Sequence, residues 1–421
     1  MFHLKDEAGK NTSTGVAQAS KVFEELEKWD LVDIVRAMSY DTTASNTGIK
    51  NGSCVLLERL LGKELFYLAC RKHFHELIGK AVWYKLFAND NGPDNAMFKR
   101  LKDKWYEIDT SPDSDSMTLE LEEDEKNDLV EFYTNILNKE SPDHELLVRG
   151  DYQQVAEASL ALLGVPLPDG TKAKWVRPSG VHKARFMAFS LGAMKCFAFA
   201  KSLGYDEDTV EALRRIADFM VRIYNQHFLV SSRGVDAAIN DLDLFKKLTK
   251  YKEEDTDVGE AAITVLQRHF WYLTPTLAMF GLFSDKLANI DKASIAGKLL
   301  SLVPPVEDKL GKPKFPTISC DTQLIDLITE DSYRFFKILG LKYDWLKMEP
   351  QFWDIDPDYG RARQFVTTAK VCNDCCERAI KLGNEYAQIL TKDNVMRNKI
   401  LQVVEAERKM YPGSKKSTMN K

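Results

Sequence analysis

The stretch Ile34-Val-Arg-Ala-Met-Ser-Tyr-Asp-Thr-Thr-Ala-Ser-Asn-Thr-Gly48 decides how the rest of the chain is read. An apolar run stops abruptly at a carboxylate, Asp41, and polar residues follow over 42–48. The pattern predicts a short strand and then a loop, with one acidic side chain at the strand's carboxyl end. In open α/β sheets that end is where ligands bind. A carboxylate beside Thr42, Thr43 and Asn46 has the hard oxygen character that Mg2+ or Mn2+ prefers. The same spacing also describes an Asp that caps its own loop in an Asx turn.

Residues 14–31 carry a helical pattern, with Val22, Phe23, Leu26 and Trp29 on one face and Lys21, Glu24, Glu25 and Lys28 opposite. After the turn at Gly48 to Gly52, Ser53 to Leu61 reads as a second helix. Leu65-Phe-Tyr-Leu-Ala-Cys70 is a continuous apolar run that suits a buried parallel strand. Helix, strand, helix, strand in this order make one α/β crossover unit. Beyond residue 73 the strand signals nearly vanish. Helices are expected at about 73–87, 128–138, 151–163, 183–203, 207–228, 234–249, 257–283, 286–301, 361–390 and 393–409. Pro/Gly-rich breaks fall at 164–180, 303–317 and 349–360. The acidic stretch Asp113 to Asp128, eight carboxylates against one lysine, reads as a solvated loop or helix cap. No repeat of 20–50 residues is visible, which argues against a solenoid.

Composition narrows the classes. The chain has 421 residues, 44% of them hydrophobic, enough for one large core or two ordinary ones. A formal net charge of −5 counts against a dedicated nucleic-acid binder, so any DNA contact must come from local basic patches. Seven scattered cysteines do not make a disulfide framework and suit a reducing compartment. The apolar stretches Phe186 to Ala200 and Phe270 to Phe283 are interrupted by Lys195 and Pro275. Both fall short of the ~20 residues a membrane span needs and are expected to be buried helices.

Three further clusters carry potential chemistry. Cys70 and His73, three apart at the end of a strand, have the spacing of half a zinc site. The sole partner pair lies in Cys372-Asn-Asp-Cys375-Cys376, whose cysteines suit a helix core better, so zinc is not expected. Trp175-Val-Arg-Pro-Ser-Gly-Val-His-Lys-Ala-Arg-Phe186 gathers Arg177, His182, Lys183 and Arg185 ahead of an apolar helix. Cations near a helix start suit a nucleic-acid phosphate backbone, and an ordinary solvated basic loop has the same pattern. Asp374 and Glu377, three apart, share a helix face. Glu377 could complete a carboxylate pair with Asp41 or simply pair with Lys381 on the surface.

In this order, the clusters resemble the hAT superfamily of DNA transposases, in particular domesticated or degenerate derivatives. Asp41, in Tyr-Asp-Thr-Thr-Ala-Ser-Asn, matches that family's second acidic residue. Cys70 and His73 match its Cys-x-x-His element. Arg185-Phe186 is similar to an Arg-Trp pair in its helical insertion, with Phe in place of Trp, and Glu377-Arg378 resembles the pair carrying its third acidic residue. The resemblance spans about residues 14–410. It implies an α-rich α/β protein with an incomplete RNase H-like core interrupted by a large all-helical insertion. The implied segments are a partial RNase H-like unit over 1–75, the insertion over 76–360, carboxy-terminal helices completing the core over 361–410, and a disordered tail over 411–421. Asp41 and Glu377 are implied as catalytic and metal-binding residues for Mg2+ or Mn2+, and Cys70, His73 and Phe186 as structural motif residues.

One departure outweighs the matches. The family's first acidic residue lies on an earlier strand, but the 40 residues before Asp41 read as a terminal segment and a helix. Asp6 and Glu7 have no strand pattern around them. The resemblance therefore implies an amino-terminally shortened, catalytically impaired descendant acting as a nucleic-acid-associated or protein-interaction scaffold. An active Mg2+/Mn2+-dependent strand-transfer enzyme and a purely structural helical interaction protein are the alternatives. Weak DNA binding, a protein partner or a homo-oligomer, no membrane, and a nuclear or cytoplasmic location complete the expectations.

Overall fold

The computed structural model describes residues 14–87, 95–111, 114, 116–178 and 187–372, with short pieces between 391 and 403. The chain opens with α1 (Gly15–Lys28), capped by the Thr14 side chain, which accepts from the Ala17 amide. Strand β1 (Ala37–Tyr40), the short helix α2 (Ala44–Thr47), α3 (Ser53–Leu61), β2 (Phe66–Ala69) and α4 (Arg71–Leu86) follow. The two strands pair in parallel, Ala37 opposite Phe66 and Tyr40 opposite Ala69. β1 buries Met38 and Tyr40 and exposes Ser39, whereas all four residues of β2 are buried, as its unbroken apolar sequence predicts. α3 stops at Gly62, whose φ of +65° suits a residue without Cβ. α1 buries Gly15 and Ala19 and packs Phe23 and Leu26 against the core, so two of the four residues of the expected face turn inward. Val22 and Trp29 point to solvent.

A helical body follows, comprising α5 (Ala96–Asp103), α6 (Glu123–Leu137), α7 (Gly150–Leu162), α8 (Ala188–Ala198), α9 (Ala200–Leu203), α10 (Glu207–Phe219), α11 (Asn225–Val230), α12 (Ala237–Glu254) and α13 (Thr256–Leu266). Then come α14 (Pro275–Ala278), α15 (Asn289–Leu300), α16 (Arg334–Leu339) and α17 (Pro357–Thr368). The acidic stretch is divided: Glu123, Asp124 and Glu125 form the first turn of α6, where carboxylates complement the helix dipole. Two expectations fail. Residues 257–283 are not one helix. α13 ends at Leu266, and 267–283 fold into short 3-10 turns around α14, which Pro275 opens, since a proline has no amide to carry a helix on through its position. The helix expected over 361–390 stops at Thr368, where Ala369 turns extended with ψ 130°. Burial of Val371 and a bond from the Arg71 amide to its carbonyl (2.8 Å) hold that extended course.

One contiguous cluster of buried apolar side chains runs from Ala19 to Val371. One face of the sheet packs Phe66 against Phe280, Phe335 and Phe365, with ring centroids 5.1–5.8 Å apart. The other packs Tyr40 and Tyr67 against Trp271. The start of α4 is unusual in sending charges inward. The Arg71 guanidinium pairs with Asp241 of α12, both fully buried, and also bonds the carbonyl oxygens of Ser231 and Ala237. The Lys72 ammonium lies 3.6 Å from the centroid of the Tyr152 ring and 4.8 Å from that of Phe228, a desolvated cation–π arrangement. No helix among the described residues is long and apolar enough to cross a membrane. The stretches around Lys195 and Pro275 are buried, as their composition predicts, although the second is a chain of short turns.

Candidate functional site

The carboxyl end of the sheet is built by three parts of the chain. β1 delivers Asp41 as the first residue past the strand. Asp41 Oδ1 accepts three hydrogen bonds, from the Thr43 amide (3.0 Å), the Thr43 hydroxyl (2.6 Å) and the Asn46 side-chain amide (2.7 Å). Asn46 is fixed in turn by the Ser53 hydroxyl at the start of α3 (2.8 Å). The run Asp-Thr-Thr-Ala-Ser-Asn is thus an Asx-type turn that leads into α2. β2 delivers Cys70 and, one helical turn into α4, His73.

His73 lies within electrostatic reach of Asp41. Burial lowers its pKa, and the Asp41 carboxylate acts in the opposite direction. His269, from the turns after α13, stands beside it, stacked on Phe74 with centroids 5.8 Å apart. Its Nδ1 accepts from the Trp271 indole N–H at 3.4 Å, which leaves the proton of the neutral ring on Nε2. Burial pushes His269 down to about 4, helped by His73, Lys312 and Arg268. Both imidazoles are therefore neutral at pH 7. Lys312 covers the group, 4.7 Å from the Trp271 centroid and 5.2 Å from that of Phe315.

Protein fills much of this strand end. The Tyr272 hydroxyl donates to the Ala69 carbonyl (2.8 Å), and the Arg71 amide bonds Val371. Among the described residues no group of three or more His, Cys, Asp or Glu side chains is arranged to hold a metal ion. Two-metal phosphoryl chemistry needs ligands that hold both ions about 3.5–4 Å apart. Asp41 has one oxygen already saturated by its own loop, and the expected second ligand, Glu377, lies outside the described residues.

Of the expected site residues, Asp41, Cys70, His73 and Arg177 fall within the described residues. Glu377, His182, Lys183, Arg185 and Phe186, with Asp374, Cys375 and Cys376, lie outside them. Asp41 and His73 come together. Arg177 stands apart in an exposed loop, its guanidinium over the Tyr106 ring at 4.6 Å and bonded to the Lys102 carbonyl. Cys70 is fully buried and lies against Cys372. Sequence patterns do not mark His269, Trp271 and Lys312. They sit some 200 residues from His73, within stretches that read as one helix and one break.

Two surface clefts of about 540 and 490 Å3 lie away from Asp41. The larger contains Arg214, Arg215 and Arg222, each bound to carboxylates (Glu211, Asp255, and Glu125 with Asp218), so its cations are neutralised. Comparison with protein-family models, with curated proteins and with solved structures finds no match to this chain.

Proposed function

We propose that this chain is a transposase-derived protein of the hAT type with an incomplete RNase H-like core, catalytically impaired and acting as a nucleic-acid-associated or protein-interaction scaffold. One observation carries the reading: Asp41 and the Cys70/His73 element meet at the carboxyl end of a parallel strand pair. These are the residues whose sequence contexts resemble the family's second acidic residue and its Cys-x-x-His motif. Impairment is supported by the commitment of Asp41 Oδ1 to three hydrogen bonds within its own loop and by the lack, among the described residues, of any group of three or more side chains arranged to hold a metal. The net charge of −5 makes unaided DNA binding weak and strongly salt-dependent.

Supercoiled plasmid incubated with the full chain and Mn2+ tests this. The reading expects the plasmid to stay supercoiled, with at most a mobility shift that fades as salt rises. Nicking that is abolished by Asp41→Ala would establish an active strand-transfer enzyme instead.

A further inference from the structure

The strand end contains a second arrangement, separate from the Asp41 loop. Cys70 precedes α4 as its N-cap residue, and Cys372 arrives from the extended segment after α17. The bond from the Arg71 amide to the Val371 carbonyl sets the neighbouring residues Cys70 and Cys372 side by side on these two stretches, where the Cys70 thiol and the Lys72 amide favour charge on the Cys372 sulfur. Cys372 lies 3.6 Å from the Ser231 carbonyl oxygen, and the backbones are locked by the Arg71–Val371 bond at 2.8 Å. The two sulfurs are therefore neighbours held by separate stretches of chain. Cys372 is half-buried, whereas Cys70 is fully buried.

We propose that Cys70 and Cys372 form a redox-active dithiol that closes to a disulfide under hydroperoxide and latches the segment after α17 onto the end of β2. The helix N-terminus, the amide of Lys72 and the nearby cations favour a thiolate at Cys372. Burial alone would push this thiol up, but Cys70, Lys72 and Arg71 bring it down to about 7. By contrast, burial drives Cys196 up to about 12 and raises Cys54 further still, so both stay inert. In the first step the Cys372 thiolate attacks one peroxide oxygen, the O–O bond breaks, and hydroxide leaves, giving a sulfenic acid. The Cys70 thiol then loses its proton and attacks that sulfur. The S–S bond forms as the S–O bond breaks, and the released hydroxide takes up a proton. Two thiols and one hydrogen peroxide thus yield one disulfide and two waters.

The test treats the full chain with a small excess of hydrogen peroxide, blocks remaining thiols and maps the tryptic peptides. A cross-link between the peptides Glu64–Arg71 and Val371–Arg378 is expected, reversed by reductant, with Cys54 and Cys196 still reduced. Because Cys375 and Cys376 share the second peptide, the experiment is repeated in a C375S/C376S variant, where the link must persist. In a C70S variant of the same background, Cys372 should instead accumulate as a sulfenic acid trapped by a dimedone reagent. Recovery of both cysteines as thiols while exposed Cys320 oxidises would overturn the proposal. So would loss of the link in C375S/C376S, or stoichiometric zinc in the untreated protein.

Discussion

The Asn46 side-chain amide donates to Asp41 Oδ1 at 2.7 Å, and through Ser53 this bond joins the end of β1 to the start of α3. The carboxylate that most resembles a catalytic residue is thereby also the anchor of its own loop. Asp41→Ala removes the acceptor for three donors and is expected to cost about 1–2 kcal/mol of stability. Asp41→Asn keeps one oxygen acceptor and should cost less. Urea unfolding of both variants measures the difference, and equal losses would contradict the anchoring role.

Gly15 extends this loop's support to α1. A Cβ at Gly15 would stand 2.1 Å from the Asn51 carbonyl oxygen and 2.7 Å from that of Ser45. Gly15→Ala must therefore push α1 away from the loop, at an expected cost of about 1–3 kcal/mol. Ala is the better helix former, so a neutral or stabilising effect in urea unfolding would show that the close approach does not matter.

The buried Arg71–Asp241 pair fixes α4 to α12. Arg71→Met leaves Asp241 unpaired in the core and should destabilise by about 3–5 kcal/mol. The double variant Arg71→Met/Asp241→Leu removes both charges and should recover much of that loss. Denaturation of these two variants and of Asp241→Leu alone supplies a double-mutant cycle, and additive losses would contradict the pairing.

Glu58 predicts a pH dependence. Burial raises its carboxyl to about 7, against hydrogen bonds from the Leu65 amide, the Tyr67 hydroxyl and the Gly311 amide. The folded chain thus keeps a proton that the unfolded chain releases above the ordinary value of 4.5. That contribution is complete below about 4.5 and is lost as pH rises through about 7. Thermal midpoints should fall between about pH 5 and pH 8, and Glu58→Gln should flatten this slope. An unchanged slope in the variant would reject the assignment.

Local signals in the sequence are sufficient for the front of the chain. The apolar runs ending at Tyr40 and Ala69, and the helix between them, stand where their patterns predict, because each element has a clear period and a clear stop. Tertiary packing decides the rest. Val22 and Trp29 have the pattern of core residues, but Gly15 and Ala19 take the buried stripe, since a close approach to the 44–53 loop requires small side chains. The 361–390 pattern gives no warning that Ala369 leaves the helix, because the cause is the start of α4, nearly 300 residues earlier. His269 and Lys312 are invisible for the same reason: no spacing links them to His73, and the fold alone brings them together. Nothing in the sequence pattern marks Glu58 and Arg71 as buried; their partners Gly311 and Asp241 draw them inside.

Whether Asp41 holds its loop or a divalent metal is read most directly by calorimetric titration of the full chain with Mn2+, run alongside Asp41→Ala. No stoichiometric site is expected in either protein, although the variant unfolds more easily. One tightly bound Mn2+ per chain, lost on Asp41→Ala, would contradict it.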